Sequence, residues 1–453
     1  MSTRKYFGTD GIRGIANREP INPETLVKLG KAVAKVFLKD SGKHRIIIGK
    51  DTRLSGYMIE SALVAGSLSM GADVLLTGPI PTPGLAYLTK SMRCDAGIMI
   101  SASHNPFEDN GIKIFAADGF KLPDELELEI ESYLESGELE HVGAESARLG
   151  KAKRIDDALG RYTVHLKSCF PRNLSLEGLK IGFDGGNGAA YAVGPQTFEE
   201  LGAEVVARGV LPNGRNINSG FGSLYPEVVA SLVQENKLDL GIAVDGDADR
   251  VVLVDEKGGI IDGDKILAIC AGFYQQQGRL ASNKIVSTVM SNLGLERYLQ
   301  TLGIELVRTN VGDRYVLEAM RKDKIEIGGE QSGHMIFLGD ANTGDGVLAA
   351  LKVIEVMLNT GKSLSQLAKV YSPYPQILEN IKVRKKPVLE SVPQIATAIK
   401  AAEDKLGSTG RILVRYSGTE NKVRVMIECQ DAKLCQQLVS EVSETIEQQI
   451  GIL

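Results

Sequence analysis

Three stretches of the chain repeat one order of residues, and this repetition constrains the fold more than any other feature. They span residues 45–81, 179–212 and 284–312. Each runs from a β-branched segment through a glycine-rich polar loop, a helical segment and a glycine break to a second β-branched segment. Strands that alternate with helices at this spacing predict βαβ units on a parallel or mixed sheet. We therefore expect three related α/β domains, although identity between the copies is low.

The rest of the chain predicts a fourth, different domain. After YSPYPQ (371–376), the pattern reads as a strand, a helix, two strands and a helix, an α+β order. A length of 453 residues also favours several domains of about 100–150 residues each. A charged stretch at 136–154 and a hairpin near 256–263 supply the other boundaries. The predicted domains are 1–153, 154–258, 259–370 and 371–453.

Composition excludes several classes of function. The net charge of -5 gives no general attraction to nucleic acid or to an anionic membrane. The five cysteines are scattered without a CxxC pair, which excludes a classical zinc finger and predicts reduced thiols. The N-terminus lacks an apolar targeting segment, and no apolar run approaches 18 residues. We expect a cytoplasmic protein.

The segment LGIAVDGDADRVVLVDE (240–256) is the first candidate for chemistry. Its Asp245, Asp247 and Asp249 alternate between two apolar runs, and three carboxylates so close together repel unless a cation separates them. An EF-hand is excluded because Arg250 stands where its glycine is required and strands flank the loop. An exposed acidic turn is the alternative, but the buried flanks favour a magnesium loop. Arg250 either holds a phosphate or neutralises the aspartates.

The segment SASHNP (101–106) follows a short apolar strand at 97–100 and is the second candidate. A serine-protease site is disfavoured because the adjacent side chains of Ser103 and His104 should point apart, and no GxSxG motif is present. Phosphoryl chemistry suits the segment better. A serine at the carboxyl end of a strand can carry a phosphoryl group, and the Mg²⁺ of the aspartate loop would neutralise the phosphoryl oxygens. The residues alone leave the choice between Ser101 and Ser103 open.

Basic and hydroxyl residues suggest where phosphates would bind. In RYSGTENKVRVM (415–426), hydroxyls and guanidinium groups surround a glycine, which is typical of an anion site but also of a common turn. The members of this candidate site are Arg415, Ser417, Gly418, Thr419 and Arg424. Lys113 and Arg13 are the basic groups expected around Ser103, with solvated surface charges as the alternative.

The segment IGGEQSGHMIF (327–337) is a candidate for sugar recognition. Glu330 and Ser332 lie between glycines, as residues that contact sugar hydroxyls often do. A polar turn between strands is the alternative, and His334 taken alone is more often structural than catalytic.

The four loops occur along the chain in the order SASHNP, DGDADR, GEQSGH and RYSGTENKVRV. In this order, and over nearly the whole chain, they resemble the α-D-phosphohexomutase superfamily. The stretches RKYFGTDGIRG, KDTRLSG, TGPIPTPG and VGDRYV extend the resemblance. It implies an α/β fold class: three related α/β domains with mixed sheets, plus a C-terminal α+β domain similar to the TATA-box-binding-protein fold. One departure is Ala248 in DGDADR, where the superfamily more often has glycine.

The resemblance also implies roles for individual residues. Ser103 is the phosphorylated residue and, through its phosphate, a metal ligand beside Asp245, Asp247 and Asp249. Further catalytic contacts are assigned to Lys113 (a candidate for proton transfer), Arg13, His104 and Arg250. Substrate binding is assigned to Glu330, Ser332, His334, Arg415, Ser417, Gly418, Thr419 and Arg424.

The reaction implied is the interconversion of glucosamine 6-phosphate and glucosamine 1-phosphate, which supplies UDP-N-acetylglucosamine synthesis for cell-wall precursors. It uses one Mg²⁺ per chain, with glucosamine or glucose 1,6-bisphosphate as intermediate or activator. The expected partner is a small hexosamine phosphate, with no nucleic acid or membrane, and a homodimer is suggested. The alternatives are the same chemistry on mannose or glucose phosphates, or a non-catalytic sugar-phosphate binder. An intact Ser103 and three aspartates oppose the binder.

Overall fold

The protein divides into two compact units. The computed structural model describes residues 4–8, 10–38, 42, 44–417 and 421–451. The larger unit comprises residues 1–288 and 307–368, and the smaller unit comprises residues 289–306 and 369–453. The smaller unit is therefore assembled from two separate pieces of the chain.

The first α/β region of the larger unit carries the loop that contains Ser103. Its elements are β1 (Phe7–Gly8), β2 (Gly11–Ile15), α1 (Pro23–Phe37), β3 (Arg45–Lys50), α2 (Gly56–Ser69), β4 (Asp73–Pro79), α3 (Thr82–Ser91), β5 (Ala96–Ile100), β6 (Asp109–Ala116), α4 (Asp124–Ser136), β7 (Ala152–Arg154) and α5 (Ala158–Ser168). The strands are ordered β1-β2-β6-β5-β3-β4-β7. β3 is parallel to β4 and β5, whereas β5 is antiparallel to β6. The Ser103 loop thus leaves a mixed sheet where strand direction changes.

The apolar character of β5 explains why the loop begins where it does. Every residue of AGIMI is buried, as expected for a central strand covered on both faces. The polar residues that follow cannot continue such a strand, so the chain turns at Ser101. The first predicted βαβ unit, formed by β3, α2 and β4, is confirmed.

The second α/β region carries the aspartate loop. Its elements are β8 (Lys180–Asp184), α6 (Val193–Glu200), β9 (Glu204–Arg208), α7 (Pro226–Asn236), β10 (Leu240–Val244), β11 (Val251–Asp255) and β12 (Ile260–Ile261). The order is β12-β11-β10-β8-β9, with β8 parallel to β9 and to β10. β10 and β11 are antiparallel, so residues 245–250 form a short loop between two buried strands. This confirms the second βαβ unit and the predicted hairpin between β11 and β12.

The third α/β region carries the Glu330 loop. Its elements are α8 (Gly263–Gln276), β13 (Lys284–Thr288), α9 (Leu293–Thr301), β14 (Glu305–Thr309), α10 (Asp313–Asp323), β15 (Ile327–Gly329), β16 (Met335–Phe337), α11 (Gly346–Thr360) and α12 (Leu364–Leu367). The sheet order is β14-β13-β15-β16. β15 and β16 are antiparallel, and the loop of residues 330–334 joins them. The strand–helix–strand order predicted for residues 284–312 is confirmed.

The C-terminal part of the smaller unit has the predicted βαββα order. Its elements are β17 (Gln376–Lys382), α13 (Pro393–Leu406), β18 (Gly410–Tyr416), β19 (Lys422–Cys429) and α14 (Ala432–Ile450). The sheet is antiparallel in the order β17-β19-β18. Apolar side chains of β19, α13 and α14 form one buried core.

Helix α9 packs into the smaller unit although it comes from the middle of the chain. The Arg411 guanidinium donates to the carbonyl groups of Val289 (2.9 Å) and Ser291 (2.6 Å). The buried Glu428 accepts the N–H of Leu293 at 3.3 Å. These backbone contacts bind the segment that leads into α9 to β18 and β19.

The expectation that all cysteines are reduced is wrong for one pair. Cys429 and Cys435 form a disulfide with a Cα–Cα distance of 6.0 Å, and Cys94, Cys169 and Cys270 are free. The turn from β19 into α14 brings Cys435, on the first turn of the helix, back beside the end of the strand. A spacing of six residues was not recognised as a pair in the sequence. Among the described helices, none is both long and apolar enough to cross a membrane.

Candidate active site

Ser103 is buried and points at the aspartate loop. Ser103 is only 1% exposed, and its hydroxyl donates to Asp245 Oδ2 at 2.6 Å. The His104 Nδ1 atom lies 3.3 Å from the same hydroxyl oxygen. The expectation that the two side chains point apart is wrong, because Ser103 has a left-handed backbone (φ 52°) that breaks the alternation of an extended chain. Ser101 instead turns to Asp51 and accepts the Ser103 N–H at 2.9 Å.

Asp245, Asp247 and Asp249 form one buried acidic cluster. Their ligand oxygens all lie within 4.8 Å of one another. Burial raises the pKa of Asp245 to about 8, and the charges of Asp249 and Asp247 add to this effect. Ionisation of Asp245 is thus unfavourable beside its two neighbours, and the alternative of an exposed acidic turn is excluded.

The acidic cluster fits a hard divalent cation. The Oδ1 atoms of Asp247 and Asp249 are buried and have no hydrogen-bond partner among the residues described. A buried carboxylate oxygen without a partner is costly, and oxygen ligands are those that Mg²⁺ prefers. The other Asp247 oxygen is held by the Thr82 hydroxyl at 2.6 Å and the Lys113 ammonium at 2.9 Å. These contacts orient the carboxylate and leave one oxygen for a metal.

Lys113 and Arg13 belong to the site, so the alternative of solvated surface charges is excluded. Lys113 is 1% exposed and contacts Asp247 and Asp249 at 2.9 Å each. Burial alone would lower the pKa of Lys113, but the carboxylates of Asp10, Asp247 and Asp249 hold it well above its usual value. Arg13 pairs with Asp10 and donates to the Ala102 carbonyl at 3.0 Å, beside Ser103.

His104 and Arg250 face each other across the two loops. Arg250 Nη1 lies 3.4 Å from His104 Nδ1, and the Arg250 N–H donates to Asp245 Oδ1 at 3.2 Å. Burial lowers the pKa of His104 to about 4, with Arg250 and Arg13 adding to the shift. His104 is therefore neutral at neutral pH. The Arg250 Nε atom has no acceptor within the described part of the chain, so this side chain retains a donor for an anion.

The Glu330 loop lies against the aspartate loop. Glu330 accepts the Gly312 N–H at 3.0 Å and the Ser332 hydroxyl at 3.3 Å, while Ser332 itself is exposed. The Gly344 N–H donates to His334 Nε2 at 3.0 Å, so the imidazole proton lies on Nδ1, 3.8 Å from Asp249 Oδ1. Thus one carboxylate and one hydroxyl are oriented within the loop, and His334 contacts the acidic cluster.

The smaller unit carries an arginine pair, Arg415 and Arg424. The two residues are opposite each other in the register of β18 and β19. Like charges opposite each other destabilise a sheet, and burial together with Arg424 lowers the pKa of Arg415. A bound anion would offset this repulsion. Ser417 is buried just after β18, whereas the predicted members Gly418 and Thr419 lie outside the described residues.

Several side chains of the site were not identified from the sequence. They are Asp10, Asp51, Arg53, Thr82, Asn218 and Asp313. All but Asn218 lie in the stretches that extend the family resemblance, which was the only available signal. Lys121 also contributes, because its ammonium contacts Asp10 and Asp313 at 2.5 Å each.

The larger unit thus places a buried serine against a loop of three buried aspartates, and comparison with known proteins identifies the family. Models for the four domains of the phosphoglucomutase/phosphomannomutase family match in order. Domains I, II and III, described as alpha/beta/alpha, match residues 4–141, 160–259 and 262–374, and the C-terminal domain matches residues 378–445. The chain belongs to this family and is an enzyme of the phosphohexomutase class.

Two relatives match this chain over nearly their full length. The chain is 56% identical to a phosphoglucosamine mutase of Syntrophotalea carbinolica, over 99% of this chain and 98% of that protein. It is 54% identical to a phosphoglucosamine mutase of Geobacter metallireducens, over 99% of both chains.

Solved structures show the same fold at low sequence identity. A phosphoglucomutase/phosphomannomutase family protein of Burkholderia thailandensis has a TM-score of 0.81 at 20% identity, covering 97% of this chain and 98% of that one. The N-acetylphosphoglucosamine mutase of Aspergillus fumigatus, solved with GlcNAc-6P and magnesium, has a TM-score of 0.69 at 17% identity, covering 98% and 96%.

Proposed function

We propose that this chain catalyses the phosphoglucosamine mutase reaction, the interconversion of glucosamine 6-phosphate and glucosamine 1-phosphate. The observation that carries the chemistry is the Ser103 hydroxyl, buried 2.6 Å from Asp245 in an acidic cluster. The choice of glucosamine rests on the full-length relatives of that name at 54–56% identity.

Ser103 is the group that carries the phosphoryl. In the forward direction, the O1 hydroxyl of glucosamine 6-phosphate attacks the phosphorus on Ser103, and the bond between phosphorus and Oγ breaks. The product is the 1,6-bisphosphate, and glucose 1,6-bisphosphate would serve equally to load the enzyme. The bisphosphate then reorients so that its 6-phosphoryl group faces Ser103. Ser103 Oγ attacks that group, and glucosamine 1-phosphate leaves. Catalysis is then mainly positioning and charge stabilisation.

The charged groups around Ser103 are assigned charge neutralisation and proton transfer. Mg²⁺ held by Asp245, Asp247, Asp249 and the phosphate on Ser103 would neutralise the phosphoryl oxygens. Lys113 is the candidate for proton transfer at the Ser103 oxygen, and its three carboxylate neighbours keep it positively charged in this site. Arg13 and Arg250 add positive charge near the transferring group, and neutral His104 is a supporting contact.

Substrate binding is assigned to two sets of residues. Glu330 and Ser332 would contact the sugar hydroxyls. His334 is assigned to the same set and lies buried beside Asp249. The non-reacting phosphate would bind the set Arg415, Ser417, Gly418, Thr419 and Arg424, and the repulsion between the two arginines supports an anion there. The proposed location is the cytoplasm, as expected from a chain in which no targeting segment was identified. The family resemblance suggests a homodimer, which size-exclusion chromatography with light scattering tests.

An assay of the purified protein tests the substrate. The 6-phosphates of glucosamine, glucose and mannose are compared with Mg²⁺ and a hexose 1,6-bisphosphate as primer. We expect the highest kcat/KM with glucosamine 6-phosphate. Equal or higher efficiency with glucose or mannose would overturn the choice of glucosamine while leaving the phosphoserine chemistry in place.

Two serine variants test the chemistry. Ser103→Ala should lose turnover and the covalent phosphate detected by intact mass. Ser101→Ala, at the neighbouring serine bonded to Asp51, should keep the covalent phosphate. If Ser103→Ala keeps either property, phosphoryl transfer through Ser103 is excluded.

A further inference from the structure

The peptide groups of Ser103 are held by side chains that the proposed chemistry does not use. The Ser103 carbonyl accepts two hydrogen bonds, from Arg53 Nη2 at 3.0 Å and from Asn218 Nδ2 at 2.9 Å. Its N–H donates to the Ser101 hydroxyl at 2.9 Å. A left-handed conformation is unfavourable for a non-glycine residue, so these bonds hold a backbone that is unfavourable by itself.

Arg53 is a fully buried cation whose contacts shape this loop. It is 0% exposed, and Nε donates to Asp51 Oδ2 at 2.8 Å. The same Asp51 oxygen accepts the Ser101 hydroxyl at 2.7 Å. The guanidinium also donates to the carbonyl of Asn105 at 2.8 Å and to that of Pro106. A buried ion pair adds little to stability, whereas the rigid guanidinium fork is well suited to fixing several carbonyl groups at once.

Asn218 reaches the same loop from the second α/β region. Its Nδ2 donates to the carbonyl groups of Ser103 and Asn105, at 2.9 and 3.1 Å. Gly246, between two of the clustered aspartates, packs against this contact: an added Cβ would lie 2.6 Å from the Ser103 oxygen and 2.9 Å from Asn218 Nδ2. Asn218 therefore fixes the Ser103 loop at the point where it meets the aspartate loop.

We propose that Arg53 and Asn218 are positioning residues for phosphoryl transfer. They hold the Ser103 backbone from two regions of the larger unit, so that Oγ faces Asp245. Both bind the carbonyl oxygen of Ser103 rather than the reacting hydroxyl. The role rests on the function proposed above, and it predicts a loss of rate rather than of substrate affinity. A displacement of about 1 Å in such a site can cost about 10²-fold in rate.

Asn218→Ala tests the role, with Asn216→Ala as the matched control. Asn216 lies two positions earlier in the same loop, is half-buried, and donates to the Leu211 carbonyl at 3.0 Å. We expect Asn218→Ala to lower kcat about 10–100-fold with KM for glucosamine 6-phosphate within about twofold. The single-turnover rate of phosphoryl transfer from glucose 1,6-bisphosphate to dephosphorylated enzyme should fall by the same factor. The control should keep wild-type values.

Asn218→Asp is a second variant of the same size. Its carboxylate cannot donate to the two carbonyl groups, so we expect a loss of kcat at least as large as that of Asn218→Ala. Wild-type kcat in either Asn218 variant, or a rise in KM without a fall in kcat, would overturn the positioning role. Intact mass separates the two proposals. If the wild-type enzyme gains no phosphate on Ser103 after incubation with Mg²⁺ and glucose 1,6-bisphosphate, both fall; if it does and the Asn218 variants behave like the control, only the positioning role falls.

Discussion

The Ser103 site and the arginine pair are both proposed to bind phosphate, but their side chains are arranged differently. Around Ser103, the lysine, threonine and arginine donors already occupy the carboxylate and carbonyl acceptors. In the smaller unit, Arg415 and Arg424 are opposite each other and repel. Opposite charges thus meet around Ser103, whereas like charges meet in the arginine pair.

This difference suggests a division of labour. Fixed groups around Ser103 suit chemistry, because donors that are already oriented need no reorganisation as charge develops. Two half-buried guanidinium groups suit anion binding, because a bound anion would form charge-assisted hydrogen bonds with both and offset their repulsion. Changes in the first site should therefore reduce kcat, and changes in the second should raise KM.

The largest expected effect comes from the acidic cluster. Asp247→Asn removes one charged metal-ligand oxygen while the amide oxygen can still accept from Thr82 and Lys113. We expect kcat to fall about 10²–10³-fold at saturating Mg²⁺, with the unfolding midpoint little changed. Initial rates across an Mg²⁺ titration and a thermal melt measure both quantities.

Asp255→Asn is the matched control for that variant. Asp255 is also a buried aspartate of the second α/β region, and it accepts the N–H groups of Lys257 and Gly259. It should affect stability and leave the Mg²⁺ dependence unchanged. Equal losses of activity in the two variants would contradict a metal role for Asp247.

The second effect separates binding from chemistry. Arg415→Ala should raise KM for glucosamine 6-phosphate about 10–100-fold, since hydrogen bonds to charged groups contribute about 1.5–3 kcal/mol. Removal of one of two opposed cations should leave the unfolding midpoint of the ligand-free protein unchanged or raised. Steady-state kinetics and melts with and without inorganic phosphate measure this. Arg384→Ala, at a guanidinium that donates to the Gln449 carbonyl, is the control. A fall in kcat at unchanged KM would remove the distinction between the two regions.

A smaller effect concerns Ala248, the departure from the superfamily motif. Its backbone is left-handed (φ 56°), which favours glycine. Ala248→Gly should therefore keep kcat within about twofold and stabilise the protein by at most about 1 kcal/mol, because relief of strain outweighs the added entropy of the unfolded chain. Ala243→Gly, within β10, should instead destabilise it. A destabilised Ala248→Gly variant would show that the alanine is not strained.

The smallest effect is a pH-dependent one, remote from both regions. Burial alone would raise the pKa of Glu256, but bonds from Ser365 and Ser363 at the start of α12 lower it to about 2. A lowered pKa gives stability that is present above about pH 4.3, the usual value for glutamate, and lost as pH falls toward the folded value. Glu256→Gln should lower the unfolding midpoint by about 1–2 °C at pH 7. Melts should show this difference shrinking toward pH 3, and a difference independent of pH would contradict the assignment.

Local patterns predicted the repeated α/β order, the C-terminal βαββα order and the clustering of three aspartates. Those features depend on neighbours in sequence, such as the apolar runs on either side of Asp245 and Asp249. The sequence could not decide whether Lys113 and Arg13 lie in the site or on the surface, because their burial depends on the pairing of β2 with β6. Asn218 and Thr82 were missed because only the packing of separate regions brings them to Ser103 and Asp247.

The error at Ser103 has a local physical cause. Side chains of adjacent residues diverge in an extended chain, and that rule was applied to Ser103 and His104. The left-handed conformation of Ser103, supported by Arg53 and Asn218, invalidates it. Non-glycine residues adopt this conformation rarely, so a single sequence gives little warning of it.

The divided smaller unit has a consequence for synthesis on the ribosome. The segment that leads into α9 is translated long before β18 and β19, which supply Arg411 and Glu428 to hold it. At about 5–20 residues per second, the roughly 120 residues in between take about 6–24 s to appear. During that interval α9 has neither of these partners, and the larger unit can finish folding first. A chain cut after Ala368 would leave the α9 segment permanently without them.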